Sequence, residues 1–247
     1  MRVAELWRFP VKSLQGEQLD GATVRDGGIE GDRAYALFDL DTGLGLTARR
    51  VPELLYASAR SCGANARPEI TLPDGRVACH DDALSDWLGR RVELRASTDA
   101  AERRYENPLD AEREADWIVF DGAPGPFHDS KRTRVSLVSH GTLGEWDHRR
   151  FRANVVLDGD GEDAFVGSTI TIGGVHLDVL KRIDRCVITT RPQPGGIEHD
   201  LDVFKRINRE HDGCLAIGAL VAQPGTMQVG DEVTDAFGAP TPRYLTE

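Results

Sequence analysis

The apolar stretches of this chain are short, and that brevity limits what it can fold into. Almost every one is a few residues long, rich in β-branched or aromatic side chains, and ends at Gly, Pro or Asp. Strands are expected over 3–9 (closed by Pro10), 19–24, 33–40 and 54–60, then a hairpin over 70–79 turning at Asp74-Gly75. They resume over 133–138, 151–157, 169–172, 175–180, 186–190, 214–221 and 232–234. Two segments carry a helical period. Residues 81–88 present Leu84, Trp87 and Leu88 to a core, with Asp81-Asp82 as the cap. Residues 200–210 place Leu201, Val203, Phe204 and Ile207 on one side. Residues 97–130 hold charges, Asn107-Pro108 and Gly122-Ala123-Pro124-Gly125-Pro126, and read as a connecting region or a long functional loop. Many short strands with helices as decoration make the fold class mainly β with a few helices (α+β), built from barrels or curled sheets.

With 247 residues the chain can bury a large core without staples. Its net charge of −11 argues against a nucleic-acid partner or an anionic membrane, since both reward a basic face. No secretory apolar region opens the sequence, and no apolar run nears the ~18 residues of a spanning helix. The expectation is a soluble, cytoplasmic protein. Its four cysteines, Cys62, Cys79, Cys186 and Cys214, are scattered, which excludes a local redox pair, a zinc knuckle or the clustered thiolates of an iron–sulfur centre. There is no HExxH, no GxSxG elbow, no phosphate-binding GxxxxGK[ST], and no GxGxxG opening a helix. Electrons, if the protein needs them, must come from elsewhere.

Four segments could carry chemistry. Lys12-Ser13 follows the first strand and pairs an ammonium with a hydroxyl, a compact anion site or an ordinary solvated loop. Gly31-Asp32-Arg33 precedes a strand; Arg33 offers a planar fork for phosphate or a carbonyl-rich heterocycle, or else forms a surface ion pair with Asp32. In Phe151-Arg152-Ala153-Asn154 an arginine and an asparagine two apart share one face at the entry of an apolar strand. Burying that pair calls for a ligand or a network, although a strand end facing water fits as well. Cys186 is the sharpest candidate. A free cysteine in a strand is usually a small inert hydrophobe. Here Arg185 is adjacent and Arg182 nearby, Thr189-Thr190 adds hydroxyls, and Gly195-Gly196 permits close backbone approach to a ligand. A neighbouring guanidinium favours the thiolate, the form that ligates metal.

Taken together, these segments resemble the MOSC family, the domain shared by molybdenum cofactor sulfurases and amidoxime-reducing enzymes. Leu6-Trp7-Arg8-Phe9-Pro10-Val11-Lys12-Ser13-Leu14-Gln15-Gly16 is similar to the start of the family's N-terminal β-barrel domain, and Gly28-Ile29-Glu30-Gly31-Asp32-Arg33 to its next landmark. Phe151 to Asn154, Arg185 to Thr190 and Val229-Gly230-Asp231-Glu232-Val233 resemble the three landmarks of the MOSC domain itself. The resemblance implies an N-terminal barrel-like domain over 1–95, a connecting region over 96–130 and a MOSC domain over 131–247, with the cofactor between the two. It implies molybdenum ligation by Cys186, the catalytic centre. Contacts to the pterin would come from Lys12, Ser13, Arg33, Arg152, Asn154 and Arg185, with Asp129 and Ser130 of Phe127-His128-Asp129-Ser130 supplying more.

Two positions depart from the family pattern. Ile183 stands where family reductases often carry a second cysteine, and Arg191-Pro192-Gln193-Pro194-Gly195-Gly196 replaces an Asp-Pro-x-Thr-Gly run. The stretch from Ala236 onward is short, and no ferredoxin domain of the kind that some bacterial members append is expected. The expected function is a molybdenum-cofactor oxidoreductase that reduces N-hydroxylated or N-oxygenated small molecules. Its electrons would come from a separate flavin or iron–sulfur partner protein. Two alternatives stand beside it: a sulfur carrier or sulfurtransferase with a Cys186 persulfide, and a non-catalytic carrier of the cofactor.

Overall fold

The computed structural model describes residues 1–63, 66–99, 103–110 and 115–236. Its main element is a curled eight-stranded sheet, ordered Val233–Asp235, Thr169–Ile172, Val175–Asp184, Cys214–Gln223, Val135–Ser139, Val155–Leu157, Val3–Arg8 and Glu17–Leu19. Neighbours run antiparallel except Val135–Ser139 and Val155–Leu157, which pair in parallel. Inward side chains of these strands form one core, and Val3, Leu6, Ala22, Val24 and Ile29 from the N-terminal end of the chain belong to it. The first strand therefore completes a sheet made mostly by the second half.

A smaller β unit packs a second core from Val11, Leu14, Leu37, Leu54, Leu55, Ile70 and Leu84. Its pairs are Tyr35–Asp39 with Val92–Ala96, and Ser58–Arg60 with Glu69–Thr71. The fold is mainly β, as the strand pattern implies. The helices lie at Asp81–Leu88 and Leu201–Glu210, with one further short turn at His140–Leu143. Among the described residues, no helix is long and apolar enough to cross a membrane.

The departures from the sequence reading have local causes. Residues 186–190 are not a strand: Val187–Thr190 is a 3-10 turn with Cys186 as its N-cap. The Thr189 hydroxyl donates to the Cys186 carbonyl at 3.0 Å and the Thr190 hydroxyl to that of Val187 at 2.8 Å. Such back-bonding offers the chain an alternative to a ladder. Residues 151–154 also precede their strand, because Arg152 sits at φ 54° and Val155–Leu157 starts after it. Arg152 and Asn154 thus share no strand face. The stretch 19–24 splits into Glu17–Leu19 and Gly21–Arg25 as the chain changes partner from Val3–Arg8 to Gly225–Gln228.

Pro52 opens a 3-10 turn, Pro52–Tyr56, where a strand is expected, because its fixed φ suits a first helical position. His80, not an aspartate, occupies the N-cap position of Asp81–Leu88 and makes no side-chain capping bond; Asp81 instead accepts from Leu94 N–H at 3.3 Å and pairs Arg67 at 2.6 Å. Leu201 is exposed, so Val203 and Ile207 carry the buried face of the later helix.

The stretch read as connecting holds a β hairpin, Arg104–Asp110 with Ala115–Asp121. Pro108 hides it from a propensity reading, since proline is rare inside strands. Tyr105 and Phe127 are buried there against Ala36 and Phe38, so part of this stretch is core.

Candidate functional site

A cavity of about 380 Å³ lies beside the hairpin, lined by it and by residues from around 33, 47–49, 128–136, 150–154 and 183–189. Cys186 lines it from the turn after Val175–Asp184, half-buried. Arg185 lines it too. Its Nε donates to the Leu215 carbonyl at 2.7 Å and its Nη1 to that of Phe151 at 2.9 Å. Its third nitrogen, Nη2, is buried with no hydrogen-bond partner. Burial pushes the Arg185 guanidinium down to about 10, against the opposing pull of Cys186 and Cys214, and it stays charged at neutral pH.

Arg33 and Arg152 both line the cavity and lie against the Phe9 ring, their guanidinium carbons 4.9 and 4.4 Å from its centroid. Both occupy left-handed backbone, at φ 50° and 54°. Arg33 is ion-paired to buried Asp32 and donates to the Arg152 carbonyl at 3.2 Å. Arg152 has no such carboxylate; its Nη1 donates to the Leu14 carbonyl at 2.6 Å. Burial, then the charge of Arg33, push Arg152 down to about 9, still positive at pH 7.

Asn154 lines the cavity, but its side chain is already engaged. Its Oδ1 accepts from the Ser136 N–H at 3.2 Å and hydroxyl at 3.0 Å, and its Nδ2 donates to the Trp7 carbonyl at 3.3 Å. The network, rather than a ligand, resolves the cost of burying that amide. Asp129 presents an exposed carboxylate to the cavity and is ion-paired with buried Lys12. Desolvation inside the cavity would raise its carboxyl, but Lys12, Arg33 and Arg152 outweigh that and hold it at about 2. Ser130 lines the same wall.

Lys12 does not line the cavity itself: its ammonium also donates to the Phe127 carbonyl at 3.2 Å and lies 5.1 Å from the Tyr105 ring. Ser13 is turned away altogether, its hydroxyl accepting from Ala48 N–H at 3.0 Å. Arg182 faces elsewhere, donating to the His211 carbonyl at 2.6 Å and pairing Asp163 at 2.9 Å. Gly195 approaches the Arg149 guanidinium, not the cavity.

The sequence reading missed four residues that shape this cavity. Arg150 is buried and donates to the carbonyls of Thr189 (3.1 Å), Arg191 (3.4 Å) and Glu198 (2.7 Å), which fixes the segment carrying Cys186. Ser136 fastens Asn154 as described. His128 is buried against the Gly27 carbonyl (3.1 Å), and burial together with Arg33 pushes it down to about 4, so it is neutral at pH 7. Because a carbonyl only accepts, its Nε2 carries the proton. Arg49 comes from the turn before Pro52–Tyr56. Consecutive arginines at 149, 150 and 152 are the one local signal that could have exposed Arg150.

Arg49, Arg150, Arg152 and Arg185 all line the cavity, and none forms an ion pair with a carboxylate among the described residues. In a chain of net charge −11, that concentration of unneutralised cations calls for an anionic ligand. Asp129 adds an acceptor for ring N–H groups, and Cys186 a soft donor for a metal. The donor set therefore fits a phosphorylated, donor-and-acceptor-rich heterocycle bound with a thiophilic metal.

Comparison with known proteins identifies the family. Residues 1–97 match the MOSC N-terminal beta barrel domain, and residues 127–234 match the MOSC domain. No curated protein matches the sequence. Among solved structures, the YuaD protein from Bacillus subtilis is 17% identical, with a TM-score of 0.41 over 94% of this chain and 93% of that one. YiiM from Geobacillus stearothermophilus is 15% identical, with a TM-score of 0.35 over 54% of this chain and 72% of that one. Cys186, Arg185, Arg152 and Asn154 fall within the second matched segment and Arg33 within the first, and the protein belongs to the MOSC family, whose domains bind the molybdenum cofactor.

Proposed function

We propose that this protein holds the molybdenum cofactor in the cavity beside its hairpin and reduces N-hydroxylated or N-oxygenated small molecules. The observation that carries the reading is Cys186, next in sequence to Arg185, on the wall of a cavity that includes four arginines paired with no carboxylate among the described residues. Cys186 would supply the sulfur ligand to the metal. Arg33 and Arg152 would take the cofactor's anionic oxygens, and the open Asp129 carboxylate would accept from its ring N–H groups. Arg150 would hold the Cys186 segment in place through its three carbonyl contacts. Held by Cys186, Arg33 and Arg152, the cofactor would supply a redox-active metal for reduction of the N–O bond.

Overall the reaction takes two electrons and two protons, converting an N–OH group to N–H and releasing water. The scattered cysteines cannot build a cluster to collect those electrons, so a separate flavin or iron–sulfur protein would supply them. The test uses protein purified from a cofactor-competent host and shown to contain molybdenum. A reduced viologen should drive turnover of a hydroxylamine or N-oxide, and NADPH alone should not. Turnover with NADPH alone refutes the separate donor; inactivity with the viologen refutes the reductase. In the latter case, a mass increase of one sulfur atom on Cys186 would favour sulfur transfer.

A further inference from the structure

The outer part of the cavity wall has a composition that the cofactor cradle leaves unexplained. Arg49, Asn107, Phe120 and Ile188 line it. Arg49 is fixed at two points: its Nη1 donates to Asn107 Oδ1 at 2.7 Å, and its carbonyl accepts from Arg191 at 3.1 Å. Its Nε is buried with no hydrogen-bond partner, and no carboxylate pairs with it among the described residues. Glu106 lines the same wall, but Arg50 neutralises it at 3.2 Å, and Arg50 in turn lies 4.5 Å from the Trp117 ring. Asp129 and Asp184 are likewise paired, with Lys12 and Lys181. A fixed positive fork is therefore left open beside an aromatic face, because Phe120 is 38% exposed and backed by Tyr105 at 5.9 Å.

Part of this wall comes from outside the segments that carry the cofactor cradle, although Arg49 and Ile188 lie within them. Asn107 and Phe120 belong to the hairpin Arg104–Asp110 with Ala115–Asp121, which lies between the two family-matched segments, 1–97 and 127–234. A wall element outside both family segments suits selection among substrates better than binding of a cofactor common to the family.

We propose that Arg49, Asn107 and Phe120 form a substrate subsite selecting aromatic N-hydroxylated or N-oxygenated compounds that also carry a carboxylate. The inference rests on the reductase reading above. The ring would lie against Phe120 and Ile188, and the carboxylate would accept from the Arg49 guanidinium. Arg49 acts here in binding and takes no part in the redox step.

The experiment uses cofactor-loaded protein and reduced viologen with two probes, 4-carboxy-N-hydroxybenzamidine and its neutral 4-carboxamide. Wild-type protein should prefer the carboxylate at least tenfold in kcat/KM, mainly through KM. In Arg49→Ala that preference should fall to near one, and Arg49→Lys should restore part of it, because an ammonium keeps the charge without the planar fork. Asn107→Ala, at an exposed position, should reduce the preference several-fold and guards against a folding defect in the first variant. A preference unchanged in Arg49→Ala overturns the subsite. So does loss of bound molybdenum in that variant on dialysis, which would assign Arg49 to the cofactor's own phosphate. Should molybdenum-loaded wild type turn over neither probe, the reductase reading fails. Equilibrium binding of the same probes then decides the subsite: an Arg49-dependent carboxylate preference upholds it, and equal binding sinks it.

Discussion

His128 should make the fold acid-sensitive in a window set by its burial. The ring is buried against the Gly27 carbonyl, with Arg33 and Arg134 nearby, and it is held at about 4 in the folded chain against an ordinary value of 6.5. Between these two values the unfolded chain binds a proton that the folded chain refuses. Unfolding is therefore favoured progressively as pH falls from 6.5 to 4, and unaffected above 6.5. A gap of that size, at 1.36 kcal/mol per pH unit, corresponds to about 3 kcal/mol of stability lost across the window. Substituting His128→Gln keeps a donor for the Gly27 carbonyl and removes the titration. Urea unfolding of the cofactor-free protein, followed by tryptophan fluorescence at intervals from pH 7 to 4.5, compares the two slopes. Wild type should lose clearly more stability than the glutamine variant over this range. Parallel pH profiles would refute the claim that the neutral ring is a structural requirement.

Two further outcomes follow from the arginines. Arg150→Ala should lower unfolding stability by about 3 kcal/mol, since the carbonyls of Thr189, Arg191 and Glu198 lose a charged donor and such losses are less than additive; Arg150→Lys should recover only part, and an unchanged urea midpoint in the alanine variant would contradict the clamp. Arg152→Ala should weaken cofactor binding about ten- to a hundredfold. It should cost little stability, because losing the Leu14 contact is offset by relieving repulsion from Arg33, and a cofactor affinity equal to wild type would remove Arg152 from the cradle.

What the sequence revealed was largely what local chemistry encodes. Short β-branched runs bounded by Gly and Pro became strands, and the periodic apolar residues at Val203 and Ile207 became the buried stripe of a helix capped by Asp200. Arg33, Arg152, Arg185 and Cys186 do line one cavity. The rest was set by side-chain-to-backbone bonds and distant partners that no window contains. Thr189 and Thr190 read as strand formers, yet their hydroxyls bond back three residues and coil the segment. Ser13 looks like an anion donor but serves Ala48, 35 residues away in sequence. Asn154 looks like a ligand contact but is held by Ser136 and Trp7. Arg49 and Arg150 gain their places only when the hairpin and the 3-10 turn fold against them.

The central claim is that Cys186 holds molybdenum in this cavity, and elemental analysis of wild type beside Cys186→Ser, prepared from the same cofactor-competent host, tests it most directly. A hydroxyl nearly matches the thiol in shape but is a poor ligand for a soft metal. The account predicts molybdenum close to one per chain in wild type and near zero in the serine protein, with the urea midpoints of the cofactor-free forms unchanged. Equal molybdenum in the two proteins would contradict it.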